Sequence, residues 1–167
     1  MSEADILPGT TVRSQLIPLA EMRLLLPTTC VAEIVDWQDP APLDDAPEWL
    51  LGMLEWRGLR IPLLSFEAAC GRERGATTRR GRIAVLNGLG GDPELPFFAL
   101  QLQGIPRLVQ VDQANIGAIS EPDESLPLVR DYAMLQDTEV LIPDLDGLEA
   151  LIKSAGLTVS SVDSSIT

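Results

Sequence analysis

The chain has 167 residues, 25 acids against 12 bases for a formal net charge of −13, no histidine, two cysteines and seven aromatics. A length near 150 suits one domain or two small joined ones with a core of their own, and the missing histidine excludes Ser-His-Asp and Cys-His catalysis, an imidazole zinc site and a phosphohistidine relay on this chain. With acids outnumbering bases about two to one, general binding to a phosphate backbone has little to work with.

The opening MSEADILPGTTVRSQ carries acids and a Pro-Gly pair where a signal peptide needs a basic start and an apolar core. Residues 1–12 are therefore expected to be a flexible N-terminus. No apolar run approaches the ~20 residues of a membrane helix, so a cytoplasmic protein without direct membrane insertion is expected. The apolar stretches are short, β-rich and broken by Gly, Pro and Asp, the pattern of an all-β fold with short helices. Residues 13–19 and 23–26 are predicted strands about the turn Ala20-Glu21-Met22. The spacing of Val31, Ile34 and Val35 predicts a helical turn within residues 27–35, and a Pro- and Asp-rich loop follows over 36–47. Two apolar runs then pivot on Arg57-Gly58, where glycine supplies the positive φ of a tight hairpin. Ser65 is a good cap for a short helix to Ala69, with Gly71 as its stop, and residues 72–82 read as a loop.

Residues 82–86 resume as a strand, and residues 97–102 are predicted to pair with 105–111 across Gln103-Gly104. Between Asp112 and Glu149 there are ten acids and one base, Arg130, with the stretch 121–124 reading as solvated loop. A last hairpin, 132–135 with 140–145, leads into a helix over 147–154, and residues 156–167 read as a loose polar tail.

Sliding the chain on itself by 81 residues aligns Met53-Leu54 with Met134-Leu135, Leu59 with Val140, Ile61-Pro62 with Ile142-Pro143, Leu64 with Leu145 and Ala69 with Ala150. Two hairpin-plus-helix units, 51–70 and 132–151, imply two similar β-barrel subdomains within residues 13–155. Pro62 and Pro143 sit inside predicted strands, so each copy is expected to carry an edge or a bend there.

No constellation announces a reaction. The acids cluster in loops where they are hydrated. Asp144-x-Asp146-Gly147 lacks the remaining calcium ligands and reads as a helix start, with Asp146 near the positive end of the dipole. Gly88-x-Gly90-Gly91 lacks the lysine of a phosphate loop and reads as a turn. Cys30 and Cys70, forty residues apart without a C-x-x-C, read as two buried reduced thiols. No catalytic residue, metal or cofactor is therefore expected. The loop holding Arg72, Arg74, Arg79, Arg80 and Arg82 concentrates five of the twelve bases. It reads either as a solvated loop or as an electrostatic contact for an acidic partner. Glu33 and Arg57 each stand alone in apolar sequence, where a charge is costly unless paired, so the two are predicted to form an ion pair.

The run Leu26-Pro27-x3-Val31-x-Glu33-Ile34-Val35, then Ala46-Pro47-x-Trp49-Leu-Leu-Gly52-Met-Leu-x-x-Arg57-Gly58-x3-Pro62-Leu63-Leu64, resembles the CheW-like adaptor domain of bacterial chemosensory systems. The resemblance extends over nearly the whole chain and implies two SH3-like five-stranded β-barrels. It also implies a non-enzymatic adaptor in chemotaxis signal transduction, joining the regulatory domain of a CheA-type histidine kinase to the cytoplasmic tip of a methyl-accepting chemoreceptor. By position, Glu33 and Arg57 match the family's characteristic pair, and Val31, Ile34, Gly52, Leu54 and Gly58 fall in its partner-binding region. Glu55-Trp56 stands where Asn-Leu is usual and Ser65-Phe66 replaces Asp-Leu, which points to an accessory adaptor, such as one of a pilus-associated, twitching-motility system. Two other classes compete: a small barrel using the 72–82 loop to bind nucleic acid or an acidic protein, and a thiol enzyme using Cys30 or Cys70.

Overall fold

The structure, a computed structural model, describes residues 10–77, 80–119 and 126–162. Strands β1 (Val12–Pro18) and β2 (Arg23–Pro27) form an antiparallel hairpin closed by Leu19 N–H donating to the Met22 carbonyl. A 3-10 turn, Thr28–Cys30, then delivers β3 (Val31–Asp36). The helical turn predicted within 27–35 is thus confined to three residues, and Val31, Ile34 and Val35 lie on a strand. Strands β4 (Leu50–Trp56) and β5 (Leu59–Leu64) make the predicted hairpin. Helix α1 (Phe66–Ala69) is capped by the Ser65 hydroxyl, which accepts from Ala68 N–H. β6 (Arg82–Asn87) and β7 (Phe97–Leu102) follow, then β8 (Arg107–Val111), β9 (Ile116–Ala118), β10 (Val129–Leu135), β11 (Thr138–Pro143), α2 (Leu145–Ser154) and β12 (Ser160–Ser161).

Two six-stranded sheets result. One runs β8-β1-β2-β11-β10-β9, and the other runs β12-β5-β7-β6-β3 with β4 on the remaining edge of β5. The expected pairing of residues 97–102 with 105–111 does not occur: β7 lies between β5 and β6, whereas β8 pairs with β1 in the other sheet. The chain crosses between the sheets at residues 103–106.

Each sheet curls into a barrel-like module with the same strand order. In the second module it reads β3-β6-β7-β5-β4, with β5 parallel to β7; in the first it reads β8-β1-β2-β11-β10, with β11 parallel to β2. The strands that follow the helix in the second module, β6 and β7, have as their counterparts β1 and β2, which begin the chain. The first module is thus assembled from both ends of the sequence around a continuous second one.

Most core strands are buried on both faces, which explains apolar runs without alternation such as Leu24-Leu25-Leu26. Leu25, Val140 and Ile142 face the interior of module one with Leu16, Val111 and Leu135. Leu63, Ile83, Val85 and Ala99 face that of module two with Leu54, Trp56 and Ile61. The opposite faces, carrying Leu24, Leu26, Leu64, Ala84, Leu86, Phe98, Leu100 and Leu141, meet in a third core that also takes Phe66, Leu148 and Ile152 of the two helices. Two barrel interiors and one shared seam make the modules a single unit.

The internal repeat is real but displaced by two positions. Trp56 opposite Leu59 closes one hairpin as Leu135 opposite Thr138 closes the other, so Leu135 matches Trp56 rather than Leu54. Bulges at Leu50/Gly52 and Val129/Asp131, and the caps Ser65 and Asp144, agree with that register. Pro62 sits inside the sheet without breaking a ladder. Met53 gives both its backbone groups to Ala41, so the Met53–Pro62 pair is one that exchanges no hydrogen bonds. Of the expected loose tail, residues 157–162 instead lie along module two, where β12 pairs with Leu59 and Arg60, and residues 163–167 lie outside the described residues.

Candidate functional site

The β4–β5 hairpin ends in a two-residue turn whose residues, Arg57 (φ 48°) and Gly58 (φ 77°), both take left-handed backbone. That conformation matches the twist of the flanking strands and carries the Arg57 side chain to the surface. Across the opening of module two, β3 has a bulge between Val31 and Glu33 that re-aims the glutamate. Glu33 Oε1 meets Arg57 Nη2 at 3.1 Å and also accepts the Trp56 indole N–H at 2.9 Å. The Arg57 guanidinium carbon lies 5.0 Å from the centroid of the Trp56 ring, and Trp56 makes an edge contact with Phe97, centroids 4.9 Å apart at 65°. β3 and β4 are the two free ends of this module's sheet, so the glutamate closes the barrel where no backbone ladder does.

The predicted ion pair therefore forms, and at the surface: the Arg57 side chain is 67% exposed and that of Glu33 38%. Gly58 is exposed at the same tip, and Val31 and Ile34 are half-buried against the seam core. Leu54 and Gly52 do not join them. Leu54 is 1% exposed inside module two, and Gly52 is buried where an added Cβ would collide with the Ala41 carbonyl oxygen. Their expected place in a docking surface is corrected to an interior, structural one.

Two residues of this cluster, Trp56 and Phe97, escape sequence reasoning, although Trp56 stood out as a departure from the family pattern. A second missed feature is the apolar surface of Ile105 and Leu108, 70% and 74% exposed. Leu108 borders a pocket of about 350 Å³ lined with Arg13, Ser14, Thr28, Val109 and Gln110. Both residues sit in an apolar run that reads as core.

The arginine loop is engaged by the chain's own groups. Arg72 pairs with Glu21 at 3.4 Å, Arg82 with Asp36 at 3.3 Å, and Arg74 with Glu48 at 3.8 Å while also donating to the Leu50 carbonyl. Arg80 is exposed, and Arg79 lies outside the described residues. Three of the five arginines of the expected contact, Arg72, Arg74 and Arg82, are thus paired within the chain. Cys30 and Cys70 are free and buried. Cys70 Sγ donates to the Pro127 carbonyl at 3.0 Å, and burial, aided by Glu67 and opposed by Arg72, pushes its thiol up to about 11. Burial likewise raises the Cys30 thiol. Neither is poised as a thiolate nucleophile. Among the described residues no group of three His, Cys, Asp or Glu side chains is placed to hold a metal, and no helix is long and apolar enough to cross a membrane.

The family model of the CheW-like domain matches residues 14–152, most of the chain. The protein belongs to the CheW family. Among solved structures, the CheW-like fold seen here is similar to that of the scaffolding protein TtCheW from Thermoanaerobacter tengcongensis, with a TM-score of 0.66 and 20% identity. That likeness covers 80% of this chain and 89% of TtCheW. Among curated proteins none matches this CheW-family chain in sequence.

Proposed function

We propose that the protein is a non-enzymatic, cytoplasmic adaptor that couples chemoreceptors to a CheA-type histidine kinase. The observation that carries this reading is the CheW-like match over residues 14–152, which takes up both modules. The geometry supports it. Because the core strands are buried on both faces, the surfaces left for partners are edge strands and turns, and they are chemically distinct. Module two presents the Glu33–Arg57 pair, Gly58 and the half-buried Val31 and Ile34. Module one presents Leu108 and Ile105. Two faces of about 800 Å² each are enough to hold two partners at once, and coupling then follows from effective concentration without chemistry. A receptor tip, being helical, suits an apolar groove, whereas the kinase regulatory domain suits packing of barrel on barrel.

Glu55-Trp56 in place of Asn-Leu puts an indole where the family carries an aliphatic side chain, and supports an accessory adaptor of a pilus-linked system as the finer reading. The test is a three-component titration of the protein, a kinase regulatory domain and a receptor-tip fragment, followed by sedimentation. A ternary complex weakened by Arg57→Ala is the expected result. Binding to neither partner, or salt-sensitive RNA binding lost on Arg72→Ala and Arg74→Ala, overturns the proposal.

A further inference from the structure

The segment that follows α2 does more than trail from the helix. Gly156, at φ 75°, stops the helix: its own N–H reaches the Lys153 carbonyl and Leu157 N–H reaches that of Ile152. This pair of bonds is the Schellman arrangement, which turns the chain sharply and here sets Leu157 on the seam core. From there the segment leaves module one. Val159 N–H donates to the Glu94 carbonyl at 2.8 Å, and its side chain packs against both the seam core and the interior core of module two. Ser160 and Ser161 pair with Arg60 and Leu59, and Val162 N–H donates to the carbonyl of Gly58 at 2.8 Å.

The contact with Gly58 lies at the turn that carries Arg57. The segment thus ties the helix of one module to the hairpin tip of the other, beside the cluster of Glu33, Trp56 and Arg57. Its route is reinforced by Lys153 with Asp92 at 3.1 Å and by Glu149 on the Leu89 and Gly90 amides. Its hold is nevertheless light. The ladder is two residues long, both exposed serines, and Val159 is the main apolar anchor beyond Leu157. A short polar ladder on one apolar peg belongs to the least stable part of a fold, which opens locally before the core does.

We propose that residues 157–162 are a releasable strap whose seating holds the Arg57–Gly58 turn in its partner-ready arrangement, so that its release lowers affinity at that site while both modules stay folded. The affinity half of this statement rests on the adaptor reading; the mechanical half does not.

Hydrogen exchange on the full-length chain separates the two. Val159→Asp removes the peg, and Gly156→Val strains the turn from outside the core, so a folding failure in one variant leaves the other to decide. The expected result is roughly tenfold faster amide exchange at residues 58–60 and 160–162, with β6 and β10 unchanged. Unchanged exchange at 58–60, or acceleration spreading through β6 and β10, overturns the strap. In the same variants, affinity for the kinase regulatory domain or the receptor-tip fragment should fall several-fold, with the larger loss on whichever contacts Arg57. Local release with affinity untouched for both overturns the coupling. If the parent chain binds neither fragment while the strap releases as stated, the adaptor reading fails and the strap stands.

Discussion

Trp56 and Arg57 share one acceptor, Oε1 of Glu33, at 2.9 and 3.1 Å. They differ in depth, because Trp56 is 7% exposed and the Arg57 side chain 67%. The interior bond should therefore outweigh the exterior one. A double-mutant cycle between Glu33 and Arg57 is expected to give a coupling of about 0 to 1 kcal/mol, the range of exposed pairs. Trp56→Phe, which deletes an indole donor to a charged acceptor, should cost about 1.5 kcal/mol or more in urea unfolding. A larger coupling for Arg57 than the cost of Trp56→Phe would reverse this order.

Gly52 and Gly58 both have positive φ, 148° and 77°, but different surroundings. A Cβ on Gly58 meets nothing within 4 Å, whereas one on Gly52 collides with the Ala41 carbonyl oxygen. Gly58→Ala should cost only the backbone strain, roughly 1 kcal/mol. Gly52→Ala must also push away the loop that Ala41 anchors to Met53, and roughly 3 kcal/mol is expected. Thermal melts of the two variants side by side check the ranking.

Most strands, the Ser65 cap and the Arg57-Gly58 turn were legible from the chain because local chemistry determines them, whereas the second helix starts at Leu145 on the Asp144 cap, two residues before the expected Gly147. The misreadings have identifiable causes. A two-residue slip of the repeat keeps every side chain on its own face, since strand alternation has period two, so apolar pattern alone does not distinguish Leu54 from Trp56 as the partner of Leu135. Val31, Ile34 and Val35 fit a helical spacing because the bulge between Val31 and Glu33 shifts the alternation of β3. Neighbouring strands usually pair, which favours joining β7 to β8, but the crossover at 103–106 is imposed by a module that closes with the N-terminal strands. The ion pair was legible from two isolated charges. Its indole and Phe97 were not, because they come together only through the barrel's closure.

Glu149 of α2 is 3% exposed and accepts the amides of Leu89 and Gly90, both at 3.2 Å. It therefore ties the loop between β6 and β7 of module two to the helix of module one. Glu149→Ala should destabilise by about 2 kcal/mol, since two donors lose their acceptor, and Glu149→Gln by less because one oxygen remains. Equal losses for the two variants would mean that the carboxylate does not act through these bonds. Asp92→Asn, by contrast, removes the charge facing Lys153 while leaving an oxygen for the Glu94 amide, and should cost less than Glu149→Ala.

Cys70 ties pH to stability. Its thiol moves from an ordinary 9.0 to about 11 in the folded chain, chiefly through burial. Between those two values the folded protein keeps a proton that the unfolded chain has released, so stability must fall as pH rises through that window and is unaffected by this group below it. Urea unfolding at pH 8, 9, 10 and 11 is expected to show the decline, and Cys70→Ser, whose hydroxyl does not titrate there, is expected to reduce it. The same burial predicts that iodoacetamide at pH 8 modifies neither Cys30 nor Cys70 until denaturant is added. Rapid alkylation of the folded chain would restore the thiol-enzyme reading that the buried Cys70, bonded to the Pro127 carbonyl, argues against.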